Sequence, residues 1–300
     1  MKLKFYYIQW ALLPLLLVCP VQAKEPEVCS TFRPPISGDE TLGHWLLRED
    51  RALKDKGCWH KHLELGTTAL AESEQKGDNR TIMLLSLQLA SSSFYLGDYD
   101  HSFKLAARAL REGRQQQNKA VQAEALYLQS AIARAKGQPD AVSLAEDALT
   151  ILQKERMDDP VLEGKVHFNL GAALSDIPPK KLNQSKQHLK QAYSLFVANK
   201  RNHDALRAGL RWTRVEYLQG HYPEALKLIK SLELWVDGPR SKMLYNYQLA
   251  KVLHRLKDWR KANHYAMEAL KLAETLDASR DKARIDTLLL AINQHRFVVD

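Results

Sequence analysis

Arg207, Arg211 and Arg214 follow one another at steps of four and three residues. On an α-helix those steps return to one face, so the three guanidinium groups form a single cationic stripe. Further along, His254 and Arg255 stand three and four residues after Lys251 and read as a second stripe, with Tyr247 one turn ahead of Lys251. Lys165 stands one turn before Asn169, and Tyr127 and Arg134 share a helix face. Arginines grouped this way suit planar, charge-assisted hydrogen bonds to carboxylates, and nearby rings add contact area. The chemistry implied is recognition of acidic groups. Ordinary solvated cations on a basic chain are the other reading of the same residues, and Trp212 with the neighbouring Leu and Ala positions reads as core.

Bond-making chemistry finds less support. His60 and His62 lie near Cys58, but residues two apart on a helix point about 200° apart and cannot share one metal ion. They read as surface histidines. Asp158-Asp159 precedes Pro160 and most simply starts a helix. The chain has no Gly-x-Ser-x-Gly, no phosphate-binding glycine loop, no His-Glu-x-x-His and no Cys-x-x-Cys. The expectation is a protein without enzyme activity, metal or cofactor.

The elements that must carry these residues are announced by a recurring spelling. "LGDYDHSFKLAARALREG" (96–113) has counterparts in "GCWHKHLELGTTALAES" and "KDWRKANHYAMEALKLA". Trp59, Tyr99, Tyr222 and Trp259 each follow a turn and open a helical stretch. Weaker copies run from Gln138 through Ala148-Leu149 and from Leu182 through Ser185, Leu189 and Ala192. After Tyr99, small residues fall at Ser102, Ala106 and Ala109, and after Trp259 at Ala262, Ala266 and Ala269. Steps of three, four and three keep them on one face, where they let another helix approach closely. Each copy is preceded by a second amphipathic stretch, such as "RTIMLLSLQLASSSFY" or "DALRAGLRWTRVEYLQ". Sparse Gly (13) and Pro (11) fit long helices. The six anchors are 37 to 44 residues apart. One helix pair cannot bury its faces alone, so this period predicts a solenoid of about six pairs. "SRDKARIDTLLLAINQHRF" reads as a single closing helix over the last pair.

"NLGAAL" (169–174), "LGDYDHSFKLAARAL", "QGHYPEALKLI" and "KDWRKANHYAMEAL" resemble tetratricopeptide repeats. The likeness covers about residues 80 to 275. The pair at 41–76 is a poorer copy, since His62 and Gly66 stand where small packing residues are usual. Periods near forty are similar to those of kinesin light chains and several bacterial regulators. The resemblance implies an all-α, right-handed superhelical solenoid of stacked antiparallel pairs, its first helices lining a concave groove for an extended or helical peptide. It places Tyr127, Arg134, Lys165, Asn169, Arg207, Arg211, Arg214, Tyr247, Lys251, His254 and Arg255 on that groove. Asn169 would bond a ligand's backbone there.

The leader sets the compartment. "MKLKFYYIQWALLPLLLVCPVQA" has charged Lys2 and Lys4, an apolar run from Phe5 to Val18 and small residues near Ala23, the layout of a signal peptide (1–23). The run is shorter than the roughly 20 residues that span a membrane. An uncleaved anchor and a lipoprotein cut before Cys19 are lesser readings. Residues 24–40 read as an extended, Pro-containing segment and 41–300 as the repeat domain. Cleavage leaves Cys29 and Cys58, a candidate disulfide in an exported chain, with two free thiols as the alternative. The net charge of +9 becomes +7 without Lys2 and Lys4. A basic exported protein meets acidic proteins, lipid headgroups or wall polymers more readily than nucleic acid. The leading expectation is a periplasmic or secreted adaptor that holds a protein or peptide partner, acidic in character, with no membrane span after cleavage. A self-associating envelope scaffold, hence a homo-oligomer, and a binder of anionic cell-wall polymer stay open.

Overall fold

The computed structural model describes residues 26–34, 40–276 and 278–296. The signal-peptide reading of 1–23 lies outside the described residues. Among the described residues thirteen α-helices follow one another: α1 Leu42–Asp55, α2 Trp59–Lys76, α3 Asn79–Tyr95, α4 Tyr99–Gln115, α5 Lys119–Ala135, α6 Ala141–Lys154, α7 Pro160–Asp176, α8 Leu182–Ala198, α9 Asn202–Leu218, α10 Tyr222–Ser231, α11 Gly238–Arg255, α12 Trp259–Thr275 and α13 Ser279–Asn293. Short 3-10 turns occupy Glu27–Thr31 and Glu233–Trp235. Among the described residues no helix is long and apolar enough to cross a membrane.

Trp59, Tyr99, Leu182, Tyr222 and Trp259 are the first residues of α2, α4, α8, α10 and α12. The sixth anchor is displaced: Gln138 sits in a turn with Gly137 (φ 70°), and the helix begins at Ala141. Pro139-Asp140 supplies the extra turn residues. The aspartate of the repeated turn is an N-cap. Asp98 accepts from the His101 amide at 3.0 Å, and Asp78, Asp159 and Asp258 repeat the bond at 3.1, 2.9 and 3.2 Å. Each satisfies an amide that the first helical turn leaves without a partner.

The small residues behave as their spacing requires. Ser102, Ala106 and Ala109 in α4, Ala141, Ala145 and Ala148 in α6, and Ala262, Ala266 and Ala269 in α12 are fully buried. Ser102 and Ser185 donate to the carbonyls of Ala90 and Gly171 on the preceding helices, at 2.7 and 2.6 Å. A methyl on Gly171 would lie 2.7 Å from Leu189 Cγ, so glycine is what lets α7 and α8 close up.

In the first pair His62 and Gly66 take the places of small residues, and the helix still packs. His62 is fully buried, not on the surface as its sequence context implies. Its Nδ1 lies 2.9 Å from Ser92 Oγ and its Nε2 3.0 Å from Asp50 Oδ1, so polar contacts stand in for a small side chain. A methyl on Gly66 would approach Leu89 Cδ2 to 2.1 Å, which makes that glycine the seat of Leu89. Cys29 and Cys58 form a disulfide with Cα atoms 5.5 Å apart, docking the 3-10 turn Glu27–Thr31 beside Trp45, Leu46 and Leu53.

Successive pairs pack chiefly through the second helix of one on the first helix of the next, and their first helices also touch one another: α1 on α3, α3 on α5, α5 on α7, α7 on α9, α9 on α11 and α11 on α13. The second helices contact their own partner and the next first helix. The array therefore curves with α1, α3, α5, α7, α9 and α11 on its inner side. α13 closes it by burying Ile285, Leu288 and Ile292 in the last apolar cluster.

Candidate ligand-binding groove

The inner helices bring cations from different pairs onto one acid. Asp176 is the last residue of α7, where the helix dipole disfavours a carboxylate. Arg211 Nη1 lies 2.9 Å from both of its oxygens, Arg214 Nη1 2.9 Å from Oδ1 and Arg134 Nη1 3.4 Å from Oδ2. Burial alone would raise the Asp176 pKa, but the three guanidinium groups outweigh it and hold the carboxyl below its ordinary range. Burial, with the repulsion of Arg134 and Arg214, brings Arg211 down to about 10 against the pull of Asp176, so it stays charged at neutral pH. Three cations share one anion, and the group carries a net charge of about +2. Its side chains remain 17% to 34% exposed, so solvent, and a ligand, can reach them.

Arg134 is oriented from behind. Its Nε donates to Asn169 Oδ1 at 3.0 Å, and Asn169 Nδ2 donates to Ser130 Oγ at 2.5 Å. Asn169 is 1% exposed. It was expected to bond a ligand backbone, but both ends of its amide are engaged inside the protein, one of them on Arg134.

Arg207 stays on the same face of α9 but does not join the cluster. Its guanidinium stacks over Phe168, 4.9 Å from the ring centre, with Asp204 Oδ1 3.5 Å from Nη1. Around it lies a polar and aromatic floor. Burial pulls the Lys165 ammonium down, but Glu124, Tyr127, Tyr95 and Asp204 outweigh that and raise its pKa. Burial raises Tyr127, whose neighbours include Lys165, Tyr95 and Arg207. These groups therefore belong to one electrostatic neighbourhood, spread over α3, α5, α7 and α9.

The stripe on α11 divides. Lys251 Nζ stands 4.6 Å over the Tyr217 ring, and Arg255 Nε donates to the Tyr217 hydroxyl at 2.9 Å. Tyr247 packs against the C-terminal apolar cluster. His254 leaves the groove: it is fully buried, its Nε2 2.7 Å from the Arg296 carbonyl and its ring against Trp259. Adjacent helical residues point about 100° apart, which puts His254 on the face toward α12 while Arg255 looks inward.

Asp176, Phe168 and Tyr217 are groove residues that pattern reasoning missed. Asp176 carried one signal, an acid on the last turn of a helix just before Pro178-Pro179. Tyr217 lies one turn after Arg214 and so continues the arginine face.

No protein-family model matches the chain, and no curated protein does. Solved structures do. The chain is similar to a Rap protein complexed with competence and sporulation factor, with a TM-score of 0.60 and 12% identity over 84% of this chain and 75% of that one. It is also similar to the Rap conjugation gene regulator of plasmid pLS20 in complex with a Phr peptide, at TM-score 0.59 and 16% identity over 84% and 80% of the two chains. Nearly identical TPR-like repeats of a putative kinesin light chain from Podosopora anserina match with TM-score 0.50 and 14% identity, over 66% and 97%. The fold is a tetratricopeptide-like solenoid. The groove side chains are the part of this chain that such a fold leaves open.

Proposed function

We propose that the protein is a non-catalytic interaction module that holds a segment of a protein partner in its concave groove, with acidic groups of that segment seated on Arg134, Arg211 and Arg214. The observation that carries this reading is the convergence of three arginines from two inner helices on one carboxylate, a partly exposed cluster whose positive charge is not balanced. Charge-assisted bonds from guanidinium to carboxylate are among the stronger hydrogen bonds available to such a site. Two of the similar solved structures carry a bound factor or peptide, which fits a groove used in this way. The leader and the Cys29–Cys58 bridge support work in the cell envelope or outside it.

The test is fluorescence anisotropy with labelled acidic and neutral peptides against the mature chain and its R211E/R214E variant. Acidic peptides should bind, and charge reversal at both arginines should weaken them at least tenfold while circular dichroism stays unchanged. Equal affinity for the two proteins would remove the groove from the explanation. Binding of any polyanion regardless of sequence, with steep loss in salt, would favour the polymer reading instead. Concentration-dependent oligomers without peptide would favour the scaffold.

A further inference from the structure

The arginine cluster contains its own anion, and that has a consequence for the ligand. The oxygens of Asp176 already accept from all three Nη1 groups. In contrast, Nε and Nη2 of Arg211 and of Arg214, and Nη2 of Arg134, meet no protein acceptor among the described residues. Donors are in surplus while the resident acceptor is saturated. A ligand oxyanion therefore has N–H groups to bind without evicting Asp176, and it sits beside a fixed negative charge when it does so.

We propose that Asp176 is the specificity-determining residue of the groove, limiting the cluster to anionic groups of single charge, a carboxylate rather than a phosphoryl dianion. This rests on the reading of the groove as a seat for an acidic protein segment. One carboxylate leaves the occupied site at about +1, still attractive. A phosphoryl group brings nearly two negative charges and three acceptor oxygens, all held close to the Asp176 carboxylate. Repulsion at such short range cancels the advantage a dianion would otherwise have over a carboxylate. Asp176 is well placed for this role because it is anchored: it belongs to α7 and is gripped from α5 and α9 at once. Arg134 retains its bond to Asn169 whether or not Asp176 is charged, so the cationic frame has a support independent of that carboxylate.

The experiment uses the peptides acetyl-Ala-Tyr-Xaa-Tyr-Ala-amide with Xaa as glutamine, glutamate or phosphoserine, titrated calorimetrically into the mature chain, D176N and D176E. Wild type and D176E should prefer the glutamate peptide to the glutamine one and gain less than about threefold from phosphoserine. D176N, isosteric but uncharged, should release that restriction and bind the phosphoserine peptide about tenfold tighter than the glutamate one. A phosphoserine-to-glutamate ratio in D176N no higher than in wild type, or an equal weakening of both anionic peptides, would overturn the proposal and leave Asp176 as a prop for the arginines. If D176N fails to fold, a strong phosphoserine preference in wild type or D176E would overturn it on its own. R211E/R214E separates the two levels. If wild type binds glutamate over glutamine and the double variant does not, the acidic-segment reading stands whatever Asp176 does. If no protein distinguishes the three peptides, both fall together.

Discussion

His167 and His188 make the protein's stability depend on pH in a window that can be worked out. His167 lies on α7 and is 3% exposed, and its Nδ1 stands 2.9 Å from Nδ1 of His188 on α8, with the rings stacked at 5.1 Å. Two ring nitrogens at that distance share one proton, so at least one ring is neutral. Glu163 Oε1 is 3.6 Å from the far side of His167, and Glu146 favours the charged form of His188. Burial, then the field of His188, pushes His167 down from 6.5 to about 4, and burial lowers His188 as well. The sign follows from linkage. A histidine with a depressed folded pKa takes its proton more readily when unfolded, so folding is fully supported above about pH 6.5. The support is lost as pH falls from 6.5 toward 4. Between about pH 7.5 and pH 5 the unfolded chain gains about one and a half pKa units of proton binding that the folded chain does not, roughly 2 kcal/mol. Urea unfolding followed by circular dichroism, at both pH values, should show wild type losing about that much more stability than H167F. The phenyl ring keeps the volume and cannot titrate. Acids and bases away from this pair move both proteins alike, and the difference reports the coupled pair of His167 and His188. Parallel losses in the two proteins, or a His167 NMR titration near 6.5, would refute the reasoning.

The Cys29–Cys58 bridge closes a loop of 29 residues, for which chain entropy gives roughly 3–4 kcal/mol. C29S/C58S should lower the urea midpoint accordingly, and reduction of wild type should reproduce the loss while leaving the double variant unaffected. Lys257 holds φ 63° at the turn position where Gly97 and Gly220 stand in their own copies of the repeat. Lys257→Gly should therefore stabilise the chain by up to about 1 kcal/mol, read as a raised unfolding midpoint, whereas Gly97→Lys should cost a similar amount.

The fold was legible because its information is local. Tyr99, Ser102, Ala106 and Ala109 lie within three turns of one helix, and their meaning repeats with every pair. Even the imperfect first copy keeps this register. His62 and Gly66 differ in chemistry from Ser102 and Ala106 but occupy the same buried positions, and they solve the packing problem with a hydrogen bond and a bare backbone. Where the local signal weakened, the structure moved. Gln138 sits ahead of its helix because Pro139-Asp140 lengthens the turn, and no spacing count alone distinguishes that from a helix start.

The groove was legible only in part because its information is not local. Steps of four and three put Arg207, Arg211 and Arg214 on one face, yet that spacing says nothing about which of them meets an acid. The answer lies in residues 35 to 42 positions away, the length of one repeat: Asp176 reaches forward to Arg211 and back to Arg134. The same arithmetic governs the other groove contacts, from Asn169 to Ser130 at 39 positions and from Arg255 to Tyr217 at 38. A stacked array turns a separation of one period into contact between neighbouring inner helices. The search that finds such a site thus compares equivalent positions in successive repeats for complementary charge. Applied to α7 and α9, it pairs the acid at the end of one helix with the arginines late in the next, and it would have found Asp176.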